Sequence, residues 1–264
     1  MNELKKIAGR PVVLTIAGLD PSGGAGVIAD VRAIAAFDCL ASAAITSLTF
    51  QNDEKVWGAE HVSPATLRAQ IAAAVGQRTV SAVKTGMLPT RELVSETARL
   101  VREASLPAPV IDPVIRSTSG FALIEAGAME TLLAELLPLA RVITPNIPEA
   151  EQLTGMRIIN EADMRLAAGA IRNLGARAVL IKGGHLSESE LVREAIDLLD
   201  DDGEVTVFRG PWIEGGNVRG TGCLLSAAIA AGLAQGLDLE VAVAGARDFV
   251  RLAISRANNP WFEF

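Results

Sequence analysis

Short β-branched runs alternate with longer alanine-rich amphipathic segments along most of this chain, and that alternation limits what it can fold into more than any other feature. Strand-like runs occur at Val12 to Ala17, Ala43 to Thr49, Ala82 to Thr85, Val110 to Val114, Val142 to Thr144 and Ala178 to Ile181. Between them, apolar residues recur with a period of ~3.6 over Gly24 to Ala36, Pro64 to Gly76, Thr90 to Glu103, Gly127 to Leu137 and Glu161 to Leu174, which predicts helices. Parallel strands need crossovers between them and cover on both faces. The order therefore predicts βαβ units in an α/β fold, with a mainly parallel sheet between two helical layers.

After residue 185 the pattern changes. Glu194 to Leu199 and Glu204 to Phe208 flank Asp200-Asp201-Asp202-Gly203, and an Asp-Gly turn between two apolar runs predicts a β-hairpin. The aspartate run reads as a solvated turn rather than a metal site. Two alanine-rich helices follow, Thr221 to Gln235 and Asp238 to Ala257, the second with an aspartate placed to cap it. With no internal repeat, linker or break in composition, residues 1–264 read as a single domain.

Composition removes several function classes. A net charge of -7 argues against a nucleic-acid binder, which needs a basic surface to displace counterions from phosphate. Only Cys39 and Cys223 are present, too few for a disulfide framework, so a reduced, cytoplasmic protein is expected. The longest nearly apolar stretch, Leu224 to Leu237, falls short of the ~20 residues that cross a bilayer, and no membrane span is predicted. His61 and His185 are the two histidines, and neither lies near a cysteine in sequence, which argues against a His/Cys metal cluster.

In an open parallel sheet, loops and helix amino-termini converge at the carboxyl ends of the strands, and ligands collect there. The chemistry-bearing residues of this chain follow strands: Gly18-Leu-Asp20-Pro-Ser-Gly-Gly-Ala-Gly26, then Gln51-Asn52, Gly86-Met87, Asp112-Pro113 with Ser117 to Gly120, Asn146-Ile-Pro-Glu149, and Lys182-Gly-Gly-His185. A glycine-rich loop that opens a helix presents unpaired N–H groups and the positive end of the helix dipole, which suits an anion. Two such loops occur, at Gly24-Ala25-Gly26 and at Gly220-Thr221-Gly222-Cys223. The first fits a loose dinucleotide fingerprint. It opens well past its strand, however, and no acidic residue stands about 20 positions on at the end of a second strand, which weakens a dehydrogenase reading.

GxxxxGK[ST] and GxSxG are both absent, which removes a P-loop and a serine-hydrolase elbow. What remains is Gly220 to Cys223 with Lys182, Asn146 and Glu149 at successive strand ends. A phosphoryl transferase needs such a mixture: donors to cradle developing charge, a cation, and oxygen ligands for magnesium. Read singly, each residue has a plainer explanation. Asn146 and Glu149 suit a helix start, Lys182 a surface loop, and Cys223 a small buried hydrophobe.

Seven ordered blocks closely resemble the bacterial hydroxymethylpyrimidine/phosphomethylpyrimidine kinases of thiamine biosynthesis. They are AGLDPSGGAG (17–26), QND (51–53), TGML (85–88), DPVIRSTSG (112–120), TPNIPEA (144–150), KGGH (182–185) and RGTGCLLSAA (219–228), similarly spaced over nearly the whole chain. Those enzymes are ribokinase-like, so the resemblance implies an αβα sandwich with an ATP-dependent kinase site along the sheet edge. It implies that Gln51 hydrogen-bonds an aminopyrimidine, with Gly18, Asp30 and Met87 near the ring. Asn146 and Glu149 match the superfamily's NxxE pattern and are expected to organise Mg2+, through water, and the phosphates. Lys182 and Asp112 belong with the ATP phosphates, Gly220, Thr221 and Gly222 with the anion hole, and Cys223 with the catalytic base. ATP and Mg2+ as cofactors and a homodimer follow from the same comparison. A thiol at a helix amino-terminus feels the dipole, and its pKa of ~8.5 is expected to fall toward neutrality. Thiolate would then take the proton of the hydroxymethyl acceptor.

The sequence departs from those kinases just before the anion hole. Where they commonly carry Thr-Lys-Asn-Thr-His, this chain has Gly215-Gly216-Asn217-Val218-Arg219, and Phe121 stands where an acidic residue is frequent. Arg219 is either a permanent cation beside the cradle, suited to the ATP phosphates or to a phosphorylated acceptor, or a surface arginine with no such role. Two other readings stay open, a pyridoxal-type kinase of the same superfamily and a non-catalytic sensor of a vitamin precursor. Intact Asn146, Glu149, Lys182 and Cys223 speak against the sensor, which has no need of a phosphate cradle.

Overall fold

The computed structural model describes residues 9–76, 78–117, 120–185, 194–213 and 219–257. Within them lie strands β1 (Val12–Leu19), β2 (Leu40–Gln51), β3 (Val56–His61), β4 (Val80–Thr85), β5 (Val110–Ile111), β6 (Val142–Ile143), β7 (Ala178–His185), β8 (Glu194–Asp201) and β9 (Glu204–Pro211). They form one sheet in the order β3-β2-β1-β4-β5-β6-β7-β8-β9. The strands from β2 to β7 in that order run parallel. Antiparallel β3 closes one edge, and the antiparallel hairpin β8–β9 closes the other.

Eight helices are described: α1 (Gly26–Ala36), α2 (Pro64–Val75), α3 (Arg91–Glu103), α4 (Ala126–Thr131), α5 (Ile147–Thr154), α6 (Glu161–Asn173), α7 (Thr221–Ala234) and α8 (Leu239–Ala257). Successive strand residues face opposite ways, and the core divides accordingly. Leu14, Ile16, Val83, Ile111, Ile143, Val179 and Ile181 pack with α2 through α6. Val13, Ala82, Val110, Val142, Ala178 and Leu180 pack with α1, α7 and α8. Each fully buried aliphatic side chain contributes about 1.5–3 kcal/mol, so burial on both faces is what holds the three layers together. This is the sandwich that the alternation of segments predicts.

From β1 the chain crosses through α1 on one face to β2, then returns through α2 on the opposite face to β4, on the other side of β1. The reversal opens a crevice beyond the carboxyl ends of β1 and β4. The hairpin is where the Asp-Gly signal places it. Asp202 (φ 56°) and Gly203 (φ 99°) make the left-handed pair that a two-residue turn needs. Asp200 Oδ1 accepts from Gly203 N at 2.9 Å and from Arg172 Nη1 at 3.0 Å, so this aspartate stabilises the turn.

Other elements differ from expectation for local reasons. β5 and β6 stop early because Pro113 and Pro145 follow and cannot donate to a ladder. The predicted helix Gly127 to Leu137 is α4 followed by a π turn over Leu132–Leu136 and a 3-10 turn over Leu137–Leu139. Pro138 has no N–H for the carbonyl one turn back, so the regular ladder cannot continue. α1 begins at Gly26 rather than Gly24. β3 and α5 were not predicted as elements.

Candidate active site

The site starts from two glycine loops pressed together. Gly220 caps α7 in a left-handed conformation (φ 76°), and a Cβ there would stand 2.0 Å from Gly24 O. Gly26 (φ 58°) is as tightly placed, since a Cβ would stand 2.2 Å from Gly18 O. Only glycine fits either position. The amino ends of α1 and α7 therefore meet, and the Gly26 N–H reaches the Cys223 thiol.

The first loop is not an anion cradle. Asp20 is buried, and its Oδ1 accepts from Ser22 N at 2.9 Å and Ser22 Oγ at 2.7 Å, while Oδ2 accepts from Ala25 N at 3.0 Å. The protein's own carboxylate takes these amides. That leaves α7 to offer the open amino-terminus, and it disposes of the dinucleotide fingerprint.

At the acceptor end, Gly18 and Met87 come together as expected: a Cβ on Gly18 would stand 3.0 Å from Met87 Sδ. Thr46 Oγ1 holds Met87 by its carbonyl oxygen at 2.7 Å. Gln51 lies at the end of β2 in a fixed orientation. Thr49 Oγ1 donates to Leu19 O at 2.8 Å and so must accept from Gln51 Nε2, also at 2.8 Å. The amide oxygen is thus left as a hydrogen-bond acceptor.

Asp30 is not on that wall. It is fully buried, its carboxylate oxygens accepting from Lys84 Nζ at 2.9 and 2.8 Å and from Thr15 Oγ1 at 2.6 Å. It has no surface for a ligand. Burial pushes the Asp30 carboxyl up and Lys84 opposes this. Burial alone would lower the Lys84 pKa, but the Asp30 carboxylate, with Cys223 and Asp112 nearby, outweighs it and holds the ammonium protonated. Sequence reasoning missed Lys84. Its one signal was a lone charged residue in a strand that a parallel sheet buries on both faces.

At the phosphate end, Lys182 Nζ donates to Asp112 Oδ1 at 3.2 Å and stands 3.2 Å from where a Cβ on Gly222 would be. The cation and the α7 amino-terminus are therefore adjacent. Ser226 Oγ, on α7, bonds Gly222 O at 2.9 Å and lies 3.5 Å from Asp112 Oδ2. Burial lowers the Lys182 pKa, yet Asp112 and Glu149 together raise it above the ordinary value. Asn146 and Glu149 form a full capping box on α5: Asn146 N donates to Glu149 Oε2 at 2.8 Å, and Glu149 N to Asn146 Oδ1 at 2.9 Å. Burial pushes the Glu149 carboxyl up to about 7, with Lys182 opposing and Asp112 adding to the rise. The structural role and the proximity to Lys182 coexist.

Two expectations need correction. Burial pushes the Cys223 thiol up to about 12, Lys84 and the Gly26 N–H opposing it and Asp30 and Asp112 adding to it, so the fall toward neutrality does not occur. Arg219 does not join Lys182 and Asp112 on the phosphate side. Its Nη2 donates to Gln51 Oε1 at 2.7 Å and lies 3.4 Å from Asp20 Oδ2, and Nη1 donates to Asn52 O. Of the divergent segment, Gly215 to Val218 lie outside the described residues.

Thr221 is the first residue of α7, completing the cradle. Among the described residues, no three His, Cys, Asp or Glu side chains are grouped to hold a metal by themselves. The arrangement offers an open helix amino-terminus, a fixed cation and two acids at one end, and at the other a wall of Gly18, Met87 and Gln51, whose amide oxygen Arg219 meets.

Known proteins resemble this chain in both sequence and fold. The sequence pattern described as phosphomethylpyrimidine kinase matches residues 20–261. The chain is 43% identical to the hydroxymethylpyrimidine/phosphomethylpyrimidine kinase of Streptomyces coelicolor, over 93% of this chain and 89% of that relative. A phosphomethylpyrimidine kinase from Clostridium difficile 630 superposes with a TM-score of 0.81 at 36% identity, covering 93% of this chain and all of that one (100%). The ADP complex of a Bacillus subtilis pyridoxal kinase superposes about as well, with a TM-score of 0.82 at 35% identity over 91% and 90% of the two chains. The architecture is therefore common to kinases of more than one vitamin precursor, whereas the sequence pattern is narrower. On that pattern, matched across almost its whole length, the chain belongs to the phosphomethylpyrimidine kinase family.

Proposed function

We infer that this protein is an ATP-dependent kinase that phosphorylates 4-amino-5-hydroxymethyl-2-methylpyrimidine and then its monophosphate, giving the diphosphate for thiamine biosynthesis. The observation that carries the reading is the placement of Lys182 and Asp112 against Gly222 at the open end of α7, beside a wall whose one polar reader is Gln51. The family pattern favours the pyrimidine over pyridoxal, and the Gln51 oxygen, which Arg219 already meets, keeps a second lone pair for a donor such as the ring amino group.

The amides of Gly220 to Cys223 and the Lys182 ammonium stabilise the charge that builds on the transferring phosphoryl group. The acceptor oxygen forms its new bond to phosphorus as the bond to ADP breaks. In a loose transition state this needs little activation of the nucleophile. Cys223 is protonated in the free enzyme; its thiol proton leaves to solvent first, and the thiolate, favoured by Lys84 and the Gly26 N–H, takes the hydroxymethyl proton late, as the new bond forms. Glu149 and Asp112 are hard oxygen donors, and Asp112 raises the cost of ionising Glu149, which suits a divalent cation between them. Mg2+ would be held there by these two, and by Asn146 through water, and would neutralise phosphate charge.

We take residues 1–264 as one kinase domain acting in the cytoplasm as a homodimer. Leu48, Phe50 and Trp57, exposed on β2 and β3, support the dimer. No helix among the described residues is long and apolar enough to cross a membrane. The test supplies ATP and Mg2+ with hydroxymethylpyrimidine or, separately, pyridoxal, and identifies products by mass. Pyrimidine diphosphate is expected. Monophosphate alone would remove the second step, and turnover of pyridoxal alone would replace the acceptor.

A further inference from the structure

We propose that Arg219 recognises the phosphate of the monophosphate acceptor, and that in the free enzyme its guanidinium is parked on the acceptor wall. This rests on the two-step reading above. Arg219 immediately precedes Gly220 and is mostly buried, so its guanidinium is held between the α7 amino-terminus and the end of β2. Its present partners are the Gln51 oxygen at 2.7 Å, the Asn52 carbonyl, Asp20 Oδ2 at 3.4 Å and Asp53 Oδ1 at 3.7 Å. Two are neutral oxygens, and Asp53 is 88% exposed, a weak and exchangeable partner. Asp20 is already occupied by Ser22 and Ala25.

The neighbouring cations are committed. Lys182 is tied to Asp112 and Lys84 to Asp30, each a buried carboxylate. Arg219 also touches a buried carboxylate, but Asp20 Oδ2 is 3.4 Å away and already met by Ala25 N, so of the three cations Arg219 is the one that can change partners. The ligand chemistry supplies the reason to do so. A phosphate monoester carries about -1.5 to -2 charges at neutral pH and matches the guanidinium fork bidentately. The amino group and the phosphomethyl group sit on adjacent ring carbons. A guanidinium resting on the oxygen that reads the amino group is therefore beside the ester phosphate once the monophosphate binds. The alcohol acceptor presents no such charge and leaves Arg219 where it is.

The experiment compares wild type, Arg219→Gln and Arg219→Lys on each acceptor separately, with ATP and Mg2+ saturating. Arg219→Gln should raise KM for the monophosphate by about 10- to 100-fold, the usual loss for charge-assisted hydrogen bonds. KM for the alcohol should rise far less, by about threefold, because Gln51 merely loses a tether. Arg219→Lys should recover part of the monophosphate loss. Without ATP, the monophosphate should raise the melting temperature of wild type more than that of Arg219→Gln. Equal losses on both acceptors would reduce Arg219 to a structural strut, and no loss on either would also overturn the proposal. Failure of wild type to turn over the monophosphate is a separate result, read before any variant, and would remove the two-step reading itself.

Discussion

Lys84 is fully buried, and its charge has to be matched inside the protein. Removing one partner of a buried ion pair typically costs about 3–5 kcal/mol, because the other is left uncompensated. Lys84→Met, close in volume, should destabilise by that amount in urea unfolding, and Lys84→Met/Asp30→Asn should recover part of it. A loss no greater than for a surface lysine would mean that Asp30 is neutral in the folded state. Cys223 makes a different kind of prediction. Cys223→Ala should lower the rate on the hydroxymethyl acceptor by about 100-fold and the rate on the monophosphate much less, since that acceptor is already ionised at neutral pH. Equal losses in rates measured on each acceptor would remove the proton-acceptor role. Gln51 at the end of β2, Lys182 on β7 and Cys223 at the start of α7 were legible because each lies within a recognisable block. The thiol pKa was not legible, because burial outweighs the helix dipole and only the packed neighbours reveal it.

Between elements, the clearest electrostatic link joins α2 to α3. Glu96 accepts from Arg99 Nη2 at 2.6 Å and Nε at 2.9 Å and from Arg68 Nε at 2.7 Å, and the two arginines hold its carboxyl down at about 2. The folded pKa is depressed, so this stabilisation is present above the unfolded value of 4.5 and is lost as pH falls from there toward 2. Both arginines are substantially exposed, which reduces the contribution to about 1–2 kcal/mol. Glu96→Gln should lose that much at pH 7 and match wild type near pH 2, as followed by urea midpoints across the range. Elements with strong periodicity, such as α3 and α6, were legible nearly to the residue, and Thr90 and Asn160 do cap them. β3 was missed because Gly58, Glu60 and His61 break its apolar alternation. Its place depends on pairing with β2 and on the Asn52 side chain, which accepts from Glu54 N and Lys55 N to turn the chain.

For the molecule as a whole, the order of segments was enough to predict the sandwich, because a parallel sheet admits few ways of covering both faces. The order of strands within the sheet was not legible, since it depends on which face each crossover takes. That order divides the site. Gly18, Gln51 and Met87, the proposed acceptor wall, come from β1, β2 and the loop after β4, next to the β3 edge. Asp112, Asn146, Glu149, Lys182 and Cys223 come from the ends of β5, β6 and β7 and from α7. Arg219 and the contact between Gly24 and Gly220 are where the two halves touch. In evolutionary terms the halves are separable inheritances. A lineage can change the molecule it phosphorylates by substitutions around β1 and β2 while the phosphate machinery passes down untouched, so relatives that act on different vitamin precursors should diverge first on the β3 side of the sheet.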